Sequence, residues 1–100
     1  MKEIINVIDD KTVENSLGWR IYISSIDAFQ YQEQGKTISF VIEDCPNELG
    51  EISWIIYLPV NWNWKSMNND EPVDPKKIPE ILNRISLAFW RLDMKIKDIV

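Results

Sequence analysis

Histidine is absent from this 100-residue chain, and cysteine occurs once, at Cys45. The commonest general base and the commonest transition-metal ligand are therefore both missing. A single thiol excludes an internal disulfide, so the fold must rest on its core. A chain of this length buries roughly 60–70% of its unfolded surface, which is enough to build one. No run of ~18 apolar residues is present, which excludes a membrane-spanning helix. Residues 1–10 lack the apolar stretch and small-residue cleavage site of a secretory signal. The expectation is one cytoplasmic domain over residues 1–100. Glycine and proline are scarce, at three and five, and no glycine-rich phosphate loop can be drawn from them.

Charge is abundant but unevenly placed. Residues 1–74 carry five basic against thirteen acidic groups, and residues 75–100 carry six against three, for a net charge of −5. A net-negative surface repels phosphate backbones, and the C-terminal basic residues are spread around a helix and a strand rather than clustered, so nucleic-acid binding is disfavoured. A basic protein partner is favoured, because an acidic face steers and orients it.

The hydropathy pattern predicts an α+β fold: an antiparallel sheet of four to five strands built from hairpins, one long C-terminal helix packed on one face, and a short final strand. Trp19–Ser24 alternates with Trp19, Ile21 and Ile23 inward. Phe29–Gln32 and Thr37–Glu43 read as two arms of a hairpin turning at Gly35, with Ile38, Phe40 and Ile42 on one face. A loop is expected over 44–50, followed by a strand over 51–58 whose apolarity on both sides suggests cover on both. Residues 59–74, with four asparagines and two prolines, read as an irregular loop. Asp74 before Pro75 is an N-cap followed by a first-turn proline, with Pro79 as a second possible start, and the helix is placed at about 76–92. Its inward stripe is Ile78, Ile81, Leu82, Ile85, Ala88, Phe89 and Leu92. Met94–Val100 resumes a two-residue alternation through Met94, Ile96 and Asp98. Glu3–Ile8 is a weaker strand, with Asp9–Lys11 as its turn.

Catalytic chemistry is poorly represented. Asp70, Glu71 and Asp74 do not have the spacing of a calcium loop, and no zinc ligand set exists, so no metal is expected. Cys45 has no histidine to lower its thiol pKa and reads as an inert small side chain. Glu43–Asp44 could do acid–base work in a cleft, but neighbouring acids are common in a chain with sixteen of them. No cofactor motif is present, and an enzyme is not expected.

Tryptophan is the unusual feature, with five in 100 residues. Trp19 and Trp54 fall on strands and read as core. Trp62 and Trp64, two residues apart in extended backbone, project to one face, either packing on the sheet or meeting a partner. Leu87 and Trp90 fall with Asn83 outside the helix's inward stripe. Either the 59–74 segment covers them or they form an exposed self-association patch. Glu43, Asp44, Glu48 and Glu51 gather at one strand connection, and Asp70, Glu71 and Asp74 before the helix. Such carboxylates suit a cationic partner, such as a nuclease whose cleft is lined with Lys and Arg.

The Phe29–Tyr31 arm with Gly35 and Ile38–Glu43, the strand Ile55–Leu58 followed by Trp62 and Trp64, and the Pro79–Ile85 helix with its closing strand resemble small immunity proteins of bacterial polymorphic-toxin and contact-dependent growth inhibition systems. The resemblance covers residues 18–100, about four-fifths of the chain. Residues 1–17 and the stretch around Asn61–Asp74 depart from it. It implies a protein without activity of its own that binds and neutralises a cognate toxin domain. Glu43, Asp44, Glu48, Asp70, Glu71 and one or both of Trp62 and Trp64 would contact that toxin. The alternative is a self-associating structural or regulatory protein using Leu87 and Trp90. Either a monomer or a homodimer is compatible with the sequence.

Overall fold

The structure is a computed structural model that describes residues 4–67 and 69–100. Its sheet is curled and mixed, with a main path of β1 (Ile5–Asp9), β2 (Thr12–Asn15), β3 (Trp19–Ser25), β4 (Ala28–Glu33), β5 (Lys36–Pro46), β6 (Ile52–Tyr57) and β9 (Lys95–Ile99), hydrogen-bonded in that order. Two short strands, β7 (Asn63–Lys65) and β8 (Asp70–Pro72), pair with each other, and β7 also pairs with the start of β5. One helix, α1 (Ile78–Arg91), lies on the inner face.

The β4–β5 hairpin shows how local chemistry sets the register. Glu33 pairs with Lys36 across two residues, Gln34 at φ 52° and Gly35 at φ 75°. Positive φ at both central positions is the type I′ turn, whose twist matches that of the flanking strands. The register it imposes points Phe29, Tyr31, Ile38, Phe40 and Ile42 inward, where all are buried. Trp19, Ile21 and Ile23 continue the same face on β3. Phe29 stacks on Phe40 at 4.8 Å and meets Phe89 of α1 edge-on at 5.1 Å. Ile81, Ile85, Ala88 and Phe89 are the fully covered helix positions.

The fold class is α+β, but among the described residues the sheet has nine strands rather than four or five and is not purely antiparallel. β9 runs parallel to β6, because α1 carries the chain back about 21 Å before β9 begins. Residues 59–74 are not an irregular loop: they hold β7, β8 and the cap of a 3₁₀ turn over Pro75–Lys77, with Asp74 Oδ1 accepting from the Lys76 amide at 3.0 Å. That turn takes up the Asp74–Pro75 start, and α1 begins afterwards with Pro79 in its first turn. β5 extends to Pro46, through residues expected to be loop, because β6 pairs along it as far as Pro46–Ile52. Cover is expected on both faces of β6, but among the described residues no second layer covers its outer face: α1 lies on one face, and Tyr57 and Val41 are exposed on the other. In β9 a bulge shifts the phase, so Ile99 rather than Asp98 lies opposite buried Ile56. The expected first strand began at Glu3, which lies outside the described residues; β1 starts at Ile5.

Candidate functional site

Strand β5 separates the two acidic groups. Lys36 and Asp44 stand eight residues apart along it, roughly 26 Å in extended chain. Asp70 and Glu71, on β8, belong to the end where β5 starts: Glu71 forms an ion pair with Lys36, and Asp70 lies opposite Lys65. Glu43, Asp44 and Glu48 belong to the other end. The acidic set read from the sequence is therefore split, and in its Asp70–Glu71 half Glu71 is paired with Lys36.

The end with Lys36 is held by a satisfied charge network. Glu33 Oε1 accepts from Arg84 Nη1 at 2.7 Å and from Tyr31 Oη at 3.2 Å, and it pairs with Lys77 Nζ at 2.9 Å. Glu80 closes the set through Arg84 at 2.7 Å and Lys77 at 3.1 Å. Burial raises the Glu33 pKa, but the Lys77 and Arg84 bonds and charges outweigh it, and the carboxyl sits below its ordinary value. The Tyr31 phenol is pushed up by burial. A polar hollow of about 460 Å³ opens beside this network, lined by Glu14, Arg20, Glu33 and Lys36 among others. Arg20 is near Glu14 at 3.7 Å and Lys36 is paired to Glu71. The charges of this end offset one another.

The opposite end differs. Topology brings four connections there: the β1–β2 turn with Asp10 and with Asp9 at the end of β1, the β3–β4 turn with Asp27, the β5–β6 loop with Glu48 and Glu51 and with Asp44 near the end of β5, and the α1–β9 junction with Asp93. Against these seven carboxylates stand Lys11, Arg91 and Lys95, so this rim is strongly anionic. None of the seven forms an ion pair among the described residues. Glu43 adjoins the rim on the outer sheet face, where it accepts from Tyr57 Oη at 3.4 Å.

The turns of this rim are built by their own side chains. Asn47 Oδ1 accepts from the amides of Leu49 at 2.9 Å and Glu51 at 3.0 Å, and Gly50 at φ 79° lets the loop close. That leaves Leu49 82% exposed at the tip. Asp27 Oδ1 accepts from Ser25 Oγ at 2.8 Å, beside Ile26 at the turn's tip. The Lys11 amide and the Thr12 hydroxyl hold Asp9 below its ordinary pKa. At the helix end, Asp93 takes φ 59° in a Schellman closure, with the Met94 amide donating to Phe89 O at 2.8 Å and the Asp93 amide to Trp90 O at 3.1 Å. Glycine is the usual residue there, and a carboxylate opposes the negative helix end. Asp93 is placed against two local preferences, a feature that attends functional positions.

The tryptophans sort differently from expectation. Trp64 is 7% exposed and its ring lies 6.0 Å from Tyr31, so it is core and leaves the candidate surface. Trp62 is half-buried, edge-on to Phe40 at 5.6 Å. Both rings do face the same way, toward the core. Trp90 is 71% exposed, whereas Leu87 is half-buried. The 59–74 segment does not cover them, because its strands pair at the other end of β5. Trp54, read as core, is half-buried and lines a groove at the acidic end. Asp9, Asp10, Asp27, Asp93, Ile26 and Leu49 are the members of this surface that the sequence reading did not single out. Their one legible signal was position, each lying in or beside a connection between elements.

Among the described residues no group of three or more His, Cys, Asp or Glu converges as metal ligands, and no helix is long and apolar enough to cross a membrane. The chain matches no protein-family model, no curated protein and no solved structure.

Proposed function

We propose that this protein is an immunity-type inhibitor that binds a cationic toxin domain through the acidic end of its sheet and blocks it. One observation carries the reading: seven carboxylates, none of them in an ion pair among the described residues, gather at one end of the sheet, on or beside hydrogen-bonded turns with exposed apolar tips. A concentrated negative field raises the association rate with a basic cleft and disfavours the wrong orientation. Turns already held in place lose little freedom on binding, which preserves affinity. Glu43, Asp44 and Glu48 keep the role given them by the sequence, now joined by Glu51, Asp27 and Asp93. Asp70 and Glu71 are left out of it, because they lie at the other end of β5, where Glu71 is paired with Lys36. A nuclease, whose cleft must hold phosphates with Lys and Arg, is the toxin class this field fits.

The test is co-expression with the C-terminal domain of the toxin encoded beside this chain. Protection of the cells, lost on reversing Glu48 and Glu51 to lysine, supports the reading; growth arrest despite full expression of the intact chain defeats it. The 71% exposure of Trp90 favours a second reading, self-association through Trp90 and Leu87. A two-fold contact there would bring two acidic rims together, because Trp90 adjoins Asp93. A concentration-dependent dimer in sedimentation, abolished by Trp90→Asp, would establish that second reading.

A further inference from the structure

Two hollows meet at Met94. One, of about 270 Å³, is lined by Ile23, Ile26, Trp54, Met94, Ser25 and the stem of Lys11. The other, of about 170 Å³, is lined by Trp90, Asp93, Met94 and Lys95. Met94 belongs to both, so the apolar surface runs from Ile26 past Trp54 and Met94 to Trp90. Ile26 is 76% and Trp90 71% exposed, so both are open to a partner. Asp44 lies opposite Trp54 in the strand register, and Asp93 walls the second hollow.

We infer that this strip is a docking groove for a basic amphipathic segment of a protein partner, one apolar side chain seating on each side of Met94. The inference rests on the acidic end being the partner surface, and it names what that surface recognises. The occupant follows from charge. Asp93 lines the second hollow, Asp44 lies opposite Trp54, and Asp10 and Asp27 adjoin Lys11 and Ile26, against Lys11 and Lys95 in the linings. An apolar strip so placed at the anionic end accepts an apolar segment flanked by Lys or Arg and rejects an acidic one. A second copy of this chain would present the same negative rim. Trp54 and Trp90 supply large rings that gain from burial and from a cation held over the ring face. Met94, unbranched and polarisable, adapts between the two hollows. Two rings in a partly preformed groove are the arrangement in which a few contacts carry most of the binding energy.

The probe is a 14-residue peptide of Lys and Leu in a helical repeat, added to the intact chain while the indole N–H resonances are followed by NMR. Controls replace every Leu by Ser or every Lys by Glu. The Lys/Leu peptide is expected to shift the Trp54 and Trp90 signals, to bind at least tenfold more tightly than the Lys/Ser peptide, and the Glu/Leu peptide not to bind. Ile26→Ser and Trp90→Ser, both at exposed positions, should each weaken binding about three- to tenfold with an unchanged melting midpoint. Equal binding of the Lys/Leu and Lys/Ser peptides overturns the groove, as do shifts confined to the outer-face residues Tyr22, Val41 and Tyr57. So do indole shifts that appear with protein concentration alone, which would make the occupant a second copy. Failure to neutralise a toxin while the peptide still docks defeats the immunity reading and leaves the groove standing. Full protection by Ile26→Ser and Trp90→Ser variants that no longer bind the peptide defeats the groove as the toxin contact and leaves immunity standing.

Discussion

Arg84 ties helix to sheet through polar contacts. It donates to Tyr31 Oη and to Glu33, pairs with Glu80, and holds its guanidinium 5.6 Å from the Trp19 ring centre. Replacing it with Met keeps the stem but leaves Glu33 and Tyr31 short of a donor, so Arg84→Met is expected to cost about 2 kcal/mol in chemical denaturation. The pH dependence has a definite sign. The Glu33 pKa is lowered in the fold, so its stabilisation is present above 4.5, its ordinary value, and is lost as acid titrates it through the lower folded value. The Lys77 pKa is raised, because Glu33 and Glu80 outweigh the opposing effect of burial. Its contribution is full below 10.5 and fades as pH rises through the higher folded value. A melting-temperature profile should show a plateau between these limits, and Glu33→Gln should flatten its acid limb. Asp93 behaves oppositely. Asp93→Gly relieves a positive φ and a charge at the helix C-terminus, and should raise stability by about 0.5–1 kcal/mol while weakening capture of a basic partner.

Strands β7 and β8 turn the asparagine-rich segment into a clasp over the sheet. Trp64 is driven against Tyr31 and Trp62 against Phe40, while the Val73 amide donates to Trp62 O at 2.9 Å. Trp64→Ala should therefore destabilise by about 3–5 kcal/mol, a loss read directly as a lowered denaturation midpoint. Were Trp64 a partner contact, the same change would spare stability and weaken only binding. The amphipathic helix and the β3, β4 and β5 strands were legible, because their apolar residues repeat with the period of the element and Gly35 marks the turn. β7 and β8 were not, since strands of three residues carry too few positions for a period to register. The bulge in β9 was also hidden: Lys97 is the extra residue between Ile96 and Asp98, and nothing in Lys95–Ile99 alone marks it. β2 was missed for a related reason. Thr12–Asn15 holds one apolar residue in four, and its burial comes from pairing with β3.

At the scale of the whole molecule the charges are divided into a balanced end and an anionic one. Association with a basic partner should therefore slow steeply with added salt, since exposed charges are screened beyond about 10 Å at 0.1 M. Glu48→Lys with Glu51→Lys should lower the association rate by about tenfold or more at low salt and flatten that dependence, with little change in melting temperature. Stopped-flow mixing at several salt concentrations measures both. The amino-acid order by itself determined the fold class, the inward faces of β3, β4 and β5, the helix stripe and the anionic character of the chain, because each is written in local spacing or in composition. Which carboxylates meet was decided only by tertiary structure. The length of β5 keeps Glu71 away from Glu48, and two hairpin turns and a helix–strand junction far apart in sequence bring Asp9, Asp27 and Asp93 to one end. Likewise only packing could bury Trp64 and leave Trp90 in the open, since an indole's exposure depends on what folds over it rather than on its neighbours in the chain.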